Sequence, residues 1–172
     1  MPVFADDAVG LMRTAIRSRG TTMYLEPKFL YNYRPTSAQL PADGYMIPFG
    51  RGKVRRAGTD LTIVSFGTAV HWSLQAAETL AQEGISVEVI DLRSLAPWDK
   101  ELVFESVKRT GRCVVAHEDK VTGGFGGEIA ASISQELFRY LDAPVRRVGS
   151  KDTPVGFAKS LEKAILLSVD DI

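Results

Sequence analysis

The chain has 172 residues, of which 45% are hydrophobic and 24% are charged, a composition typical of a globular domain. Lysine plus arginine and aspartate plus glutamate both number 21, so there is no basic excess to hold nucleic acid, and no apolar run approaches a membrane span. A single cysteine excludes an internal disulfide and, with no signal-peptide pattern, predicts a bacterial cytoplasmic or mitochondrial-matrix location.

The first segment, residues 1–25, is predicted to contain a helix followed by a strand. Asp6 or Asp7 is the expected N-cap, Gly20 is the expected end of the helix, and residues 21–25 are rich in strand-forming side chains. A lone helix and strand cannot bury both faces of a sheet, so we interpret the segment as the end of a preceding domain. Its apolar residues recur at helical spacing: Ala8, Leu11, Met12, Ala15 and Ile16.

The second segment, residues 26–58, contains four prolines and four glycines and is predicted to be an inter-domain linker. Its aromatic residues indicate that the linker packs over a surface. They include Phe29, Tyr31, Tyr33 and Tyr45.

The third segment, residues 59–172, alternates between strand and helix patterns, which predicts one α/β domain. Such alternation is typical of a mainly parallel sheet with helices on both faces. The predicted strands are 61–66, 86–90, 112–116 and 145–148, and the predicted helices are 69–82, 99–108, 126–141 and one that begins near residue 160.

A glycine-rich turn, residues 123–127, follows a predicted strand and opens a helix. Free amides at a helix N-terminus can bind phosphate, which would suit a free-standing nucleotide-binding domain. The glycine spacing does not match the dinucleotide fingerprint, and Glu128 places a negative charge in the first helical turn. We therefore favour a tight strand-to-helix connection over a phosphate site.

Three polar residues, His117, Glu118 and Asp119, follow the apolar part of a predicted strand. Ligands of open α/β sheets tend to bind at the carboxyl ends of strands, and a histidine beside carboxylates could transfer protons. No serine or cysteine nucleophile is identifiable from spacing, so a structural or interface cluster is the favoured alternative.

The remaining reactive side chains are predicted to be structural. His71 is expected to pack or cap, Cys113 to be an inert buried thiol, and two histidines with one cysteine cannot form a usual zinc set. The basic pairs 55–56 and 146–147 are expected to be solvated. No catalytic, cofactor-binding or metal-binding residue is assigned.

Motifs along most of the chain resemble the beta subunit of thiamine-diphosphate-dependent 2-oxo acid dehydrogenases. Residues 85–99 read ISVEVIDLRSLAPWD, which is similar to a signature of the transketolase-type C-terminal domain of that subunit. The other matching motifs are EPKFLY at 26–31, IPFGRGKV at 47–54, TDLTIVSFG at 59–67, VKRTGR at 107–112, VAHE at 115–118, TGGFG at 122–126, LDAP at 141–144 and DTP at 152–154.

The resemblance implies a function for the complete enzyme. Residues 1–25 would end its pyrimidine-binding domain, and residues 59–172 would be its C-terminal domain. EPK at 26–28 and PWD at 97–99 favour a branched-chain (2-oxoisovalerate) enzyme, which decarboxylates 2-oxo acids and transfers the acyl group to lipoamide. The alternatives are a pyruvate or acetoin dehydrogenase beta subunit, or a non-catalytic assembly module.

The resemblance also implies what this segment lacks and what it contacts. Thiamine diphosphate and magnesium would be bound in the assembled enzyme by other parts, so the isolated chain is expected to be inactive. The implied partners are an alpha subunit, a second beta subunit and the lipoyl acyltransferase core. Asp142, in the LDAP motif, would dock that core through basic residues of the partner.

Overall fold

Five helices and five strands make up the computed structural model, which describes residues 1–172. The strands are β1 (Lys53–Arg56), β2 (Leu61–Ser65), β3 (Val87–Asp91), β4 (Cys113–Lys120) and β5 (Arg146–Ser150). The helices are α1 (Ala5–Arg17), α2 (Ala69–Gln82), α3 (Lys100–Thr110), α4 (Gly126–Leu137) and α5 (Lys159–Ile165). Short 3-10 turns lie at Lys28–Asn32, Arg34–Thr36, Phe138–Tyr140 and Val169–Asp171.

The strands form a single sheet in the order β1-β3-β2-β4-β5. All neighbouring pairs are parallel except β1 and β3, which are antiparallel. Helices α2 and α3 connect successive parallel strands, as parallel pairing requires. The predicted α/β class with a mainly parallel sheet is therefore confirmed.

Helices cover both faces of the sheet because both faces of the central strands are apolar. Ile63 of β2 joins a buried cluster with Ala77 of α2, whereas its neighbour Val64 joins a larger cluster with residues of α3 and α4. Successive strand residues point to opposite faces, so this alternation gives the domain one core on each side of the sheet. The larger cluster includes Phe66, Ile90, Val103, Val115, Ile129 and Ile133.

Helix ends in the third segment follow local sequence signals. The carboxylate of Asp99 accepts a hydrogen bond from the Leu102 backbone N–H at 3.1 Å, which caps the start of α3. Gly111 ends α3 with φ of +68°, a conformation that glycine adopts without a steric penalty. The predicted range 69–82 coincides with α2.

The first two segments differ from the prediction in several ways. Residues 21–25 form no strand, because no neighbouring strand lies beside them to pair with their backbone. Helix α1 has Phe4, not Asp6 or Asp7, at its N-cap position, and it ends at Arg17 rather than near Gly20. Strand β1, inside the predicted linker, was missed because its sequence KVRR has no apolar alternation.

Helix α1 is only half covered by the rest of the chain. Leu11 is buried, whereas Met12 and Ile16 of the predicted apolar face are exposed. None of the five helices is both long and apolar enough to cross a bilayer. The domain boundaries near residues 25 and 58 remain a prediction, although β1 shows that part of the linker pairs with the sheet.

Candidate functional site

His117 lies in β4 and is completely enclosed by the protein. Its ring stacks on Phe66, with 5.7 Å between ring centroids and 3° between ring planes. Neither ring nitrogen has a hydrogen-bond partner. Burial lowers the pKa of His117 below its ordinary value, so the imidazole is held neutral. This environment gives His117 a packing role and leaves it no path to a substrate.

The carboxylates of the two residues that follow His117 do not form hydrogen bonds with its ring. Glu118 accepts a hydrogen bond from the Thr68 backbone N–H at 3.3 Å, and Asp119 accepts one from the Lys120 backbone N–H at 2.7 Å. Successive residues of a strand point to opposite faces, so the side chains of His117 and Glu118 diverge. The predicted cluster is therefore adjacent in sequence but does not form an acid/base group in space.

The glycine-rich turn is shaped by the ring of His117. A Cβ added to Gly124 would lie 2.7 Å from Cε1 of His117, and one added to Gly126 would overlap its Nε2. The space in front of these glycines is thus filled by the imidazole. With Glu128 in the first turn of α4 as well, the turn does not fit the diphosphate of a cofactor. The structure supports the tight connection favoured by the sequence.

No other candidate group provides a metal or cofactor site. No set of three or more histidine, cysteine, aspartate or glutamate side chains is placed to share a metal ion. Cys113 is buried, and burial raises the pKa of its thiol to about 12. His71 packs between the rings of Phe4 and Tyr33, each with 5.0 Å between centroids.

A buried ion cluster, formed by Asp7, Arg55, Asp91 and Arg93, was not predicted. Arg55 pairs with both carboxylates, and its Nη2 lies 2.8 Å from Oδ2 of Asp91. Arg93 Nη1 donates to Oδ1 of Asp7 at 3.1 Å. Both aspartates are fully buried. The expectation that Arg55 is solvated is therefore wrong: its guanidinium lies between the two carboxylates and over the ring of Phe4, 4.1 Å from the ring centroid.

The buried ion cluster joins three parts of the chain. Asp7 belongs to α1, Arg55 to β1, and Asp91 ends β3. Arg93 also donates to the backbone oxygens of Arg51 and Gly52, each at 2.9 Å. Burial raises the pKa of Asp91, and the Arg55 guanidinium opposes that rise. The cluster thus fastens the first helix and the linker to the carboxyl end of the sheet.

The other basic residues of the two pairs make backbone contacts or are exposed. Arg56 donates to the Val87 oxygen at 2.6 Å, and Arg147 donates to the Val121 oxygen at 2.7 Å. Arg146 is exposed, as predicted. The sequence signal for the buried ion cluster was the pair of charges in IDLR at residues 90–93, at the end of a strand that is otherwise buried.

Asp142 lies at the opposite end of the sheet, on the surface. Its backbone N–H donates to the Gly111 oxygen at 2.8 Å, so its side chain stands beside the C-terminus of α3. The Asp142 side chain is 64% exposed, and Nε of Arg112, itself 60% exposed, lies 3.8 Å from its Oδ2. A carboxylate at a helix C-terminus faces the negative end of the helix dipole, so this position is not favoured by the dipole.

Two clefts lie away from His117 and Asp142, and both are lined in part by Arg93. One of about 570 Å³ lies between the linker and α3 and includes Arg51, Glu101 and Glu105. The other, of about 510 Å³, lies between residues 18–25 and residues 93–96, and more than half of its lining residues are hydrophobic. Neither cleft contains His117 or Asp142, so the predicted site residues do not line a common cavity.

Comparison with known proteins agrees with the fold. The family described as transketolase, C-terminal domain, matches residues 50–172. A solved structure described as a split gene transketolase, inactive beta4 tetramer, is 36% identical with a TM-score of 0.64, covering 78% of this chain and 42% of its own.

Relatives among curated proteins are beta subunits of two dehydrogenases. Pyruvate dehydrogenase E1 component subunit beta-2, mitochondrial, of Oryza sativa subsp. japonica is 41% identical over 100% of this chain and 46% of its own length. 2-oxoisovalerate dehydrogenase subunit beta 2, mitochondrial, of Arabidopsis thaliana is 47% identical over 86% of this chain and 41% of its own length. 2-oxoisovalerate dehydrogenase subunit beta of Bacillus subtilis (strain 168) is 38% identical over 100% of this chain and 52% of its own length. The chain thus spans about half the length of the curated relatives it matches. The identities are too similar to distinguish kinship with pyruvate dehydrogenase from kinship with 2-oxoisovalerate dehydrogenase.

Proposed function

Because the chain belongs to the transketolase C-terminal domain family, we propose that it is the C-terminal part of the beta subunit of a branched-chain 2-oxo acid dehydrogenase. The observation that carries this proposal is identity of 38–47% to dehydrogenase beta subunits over most or all of the chain. The complete enzyme would decarboxylate a 2-oxo acid oxidatively and pass the acyl group to lipoamide. Its location would be the bacterial cytoplasm or the mitochondrial matrix.

The branched-chain preference rests on two short motifs. In EPK, Glu26 accepts a hydrogen bond from the Tyr31 hydroxyl at 2.7 Å; in PWD, Trp98 is buried and Asp99 caps α3. These contacts are structural, so the motifs support kinship with the branched-chain enzymes rather than contact with substrate. The pyruvate enzyme is the alternative, since its beta subunit is similarly close at 41% identity over the whole chain.

The substrate assignment is tested with the enzyme assembled from alpha and beta subunits. We expect kcat/KM for 2-oxoisovalerate to exceed that for pyruvate by at least about tenfold, since extra methylenes in an apolar pocket give about 10- to 200-fold discrimination. The measurement is oxidative decarboxylation with thiamine diphosphate, magnesium and a lipoyl acceptor. A preference for pyruvate would replace the branched-chain assignment with the alternative.

The segment itself is proposed to supply no catalytic group. His117 is enclosed, the glycine-rich turn is filled by its ring, and no group of side chains is placed to hold a metal. The residues present therefore do not fit thiamine diphosphate or magnesium. We expect the isolated 172-residue chain to show no turnover when both are added; sustained decarboxylation by it would contradict this.

The segment is proposed instead to serve assembly and docking, with Asp142 as an anchor for the lipoyl acyltransferase core. Its exposed carboxylate has only Arg112 as a neighbouring cation, and an exposed ion pair contributes only about 0–1 kcal/mol. The carboxylate can therefore exchange that partner for a cation of another protein with little loss of stability. The alpha subunit and a second beta subunit are the other proposed partners.

The docking proposal is tested by Asp142→Asn in the assembled enzyme. We expect weaker binding to the peripheral subunit-binding domain of the acyltransferase, by about tenfold, because a charge-assisted contact is lost. Asp43→Asn is the matched control: it is also exposed, lies 4.0 Å from Arg13, and makes the same change in charge on a different surface. Unchanged affinity of the Asp142 variant would reject Asp142 as an anchor.

A further inference from the structure

Five aromatic rings from separate parts of the chain meet at the first turn of α2. We call them the aromatic cluster, defined by Phe4, Phe29, Tyr33, His71 and Trp72. One ring precedes α1, two belong to the linker and two lie in α2. The centroids of contacting rings are 5.0–5.9 Å apart, a spacing typical of packed aromatic pairs. The aromatic cluster therefore ties residues 1–4 and the linker to the α/β domain.

His71 is the ring that all three parts share. It packs against Phe4 and Tyr33, and its Nε2 lies 3.4 Å from the backbone oxygen of Val3. Only 4% of His71 is exposed, so the uncharged imidazole packs there much as an apolar ring would, whereas a charged one would lose its water. The same three parts of the chain also share a buried apolar cluster, formed by Val3, Leu30 and Val70.

The charged groups around His71 offer it no free carboxylate. Burial lowers the pKa of His71, Asp91 raises it and Arg55 lowers it. Both Asp91 and Asp7 are already paired with Arg55, and no carboxylate oxygen lies within 4.0 Å of the His71 ring nitrogens. Residues 1–4 carry no ionisable side chain, and Tyr33 is the titratable side chain that the linker packs against the ring. A proton added to His71 in the packed structure would thus meet a cation and no available counter-ion.

From this arrangement we infer that His71 is a pH-dependent latch, which holds residues 1–4 and the linker turn (residues 28–36) on α2 while uncharged and releases them on taking up a proton. Release returns the ring to water, where its pKa is the ordinary 6.5. Opening is therefore accompanied by proton uptake, and it becomes more favourable as pH falls below 6.5, by up to about tenfold per pH unit. Above pH 6.5 the latch stays closed, with no dependence on pH. The inference does not depend on the proposed dehydrogenase activity.

The test is amide hydrogen exchange of the linker turn in the 172-residue chain, between about pH 8 and pH 5. The reporting amides belong to Leu30, Tyr33 and Thr36, which donate to backbone oxygens of the linker. Protection is expressed relative to the unfolded chain at the same pH, which removes the intrinsic effect of pH on exchange. We expect protection to be constant above pH 6.5 and to fall by up to about tenfold per pH unit below it.

His71→Phe keeps an aromatic ring and removes the titration, so its linker turn should keep constant protection down to pH 5. His71→Gln, which is also uncharged, serves if the first variant does not fold. His117→Leu is the matched control: it removes the other histidine, which packs on Phe66 outside the aromatic cluster, and should leave the fall in protection unchanged.

Four results would overturn the inference. Constant protection of the linker turn in the parent chain would mean that no proton is coupled to its opening. An equal fall in the parent and in the uncharged His71 variants would assign the effect to another group, and its loss in His117→Leu would assign it to His117. Protection of the linker turn equal to that of α3 at every pH would mean that the turn opens only when the whole domain unfolds.

Discussion

The two ends of the sheet carry ion pairs in opposite surroundings. At the carboxyl end, Asp7 and Asp91 are fully buried and share the guanidinium of Arg55. At the amino end, Asp142 and Arg112 are both more than half exposed. A buried charge that loses its partner keeps the cost of desolvation, whereas an exposed one is rehydrated. We therefore expect the first site to hold the fold together and the second to be available to a partner.

The largest effect is expected from breaking the buried ion cluster. Asp7→Asn removes the charge that faces Arg55 and Arg93, and removal of one member of a buried pair costs about 3–5 kcal/mol. The measurement is the free energy of unfolding by denaturant. Asp6→Asn is the control, since Asp6 is the preceding residue in the same helical turn and makes no ion pair. Equal, small effects of the two substitutions would contradict the role given to Asp7.

A smaller loss is expected from filling the space between the glycine-rich turn and His117. Gly126→Ala places a Cβ against the imidazole, and overpacking of a core costs about 1–3 kcal/mol. A double-mutant cycle with His117→Ala identifies the cause, because removal of the ring should relieve the strain. Additive effects of the two substitutions would show that the turn does not depend on His117, and would reopen the possibility of a ligand at its amides.

The buried histidine also predicts a dependence of stability on pH. Burial lowers the folded-state pKa of His117 below its ordinary value of 6.5, so the unfolded chain takes up a proton first as pH falls. Stability is then fully retained above pH 6.5 and decreases as pH falls toward the folded pKa, by at most about 1.4 kcal/mol per pH unit.

His117→Leu isolates this contribution, because the variant keeps an apolar side chain and loses the titration. We expect the free energy of unfolding to fall less steeply below pH 6.5 in the variant than in the parent chain. His71, whose pKa burial also lowers, retains its own contribution in both proteins. Parallel pH profiles for the two proteins would contradict the assignment.

The elements that sequence alone predicted correctly have local causes. Helix α2 follows a continuous helical pattern, and α3 has both a capping aspartate, Asp99, and a terminal glycine, Gly111. Residues 21–25 have the composition of a strand, but no strand lies beside them to pair with. Strand β1 pairs with β3, although its sequence KVRR does not have the composition of a typical strand. Strand formation depends on the neighbour as well as on the segment, which a local pattern cannot show.

The buried ion cluster could not be predicted from spacing, because its members are far apart in sequence. Arg55 and Asp7 are 48 residues apart, and Arg93 and Asp7 are 86 residues apart. Because most charged residues are exposed, sequence alone predicts that a charged residue is solvated, and only the fold shows which residues enclose it. Asp142 was identified only through family resemblance, and its docking role stays a prediction that rests on exposure and charge.

The smallest effect on stability is expected at Asp142 itself. Asp142→Asn breaks one exposed pair with Arg112 but also removes a negative charge from the C-terminal end of α3. These contributions oppose each other, so the free energy of unfolding should change by no more than about 0.5 kcal/mol. Arg112→Gln, which breaks the same pair from the other side, is the comparison. A loss above about 1.5 kcal/mol for the Asp142 variant alone would place Asp142 among the structural residues. A negligible loss of stability combined with loss of binding would instead separate the exposed site from the buried one, since only the buried charges depend on their partners to remain in the fold.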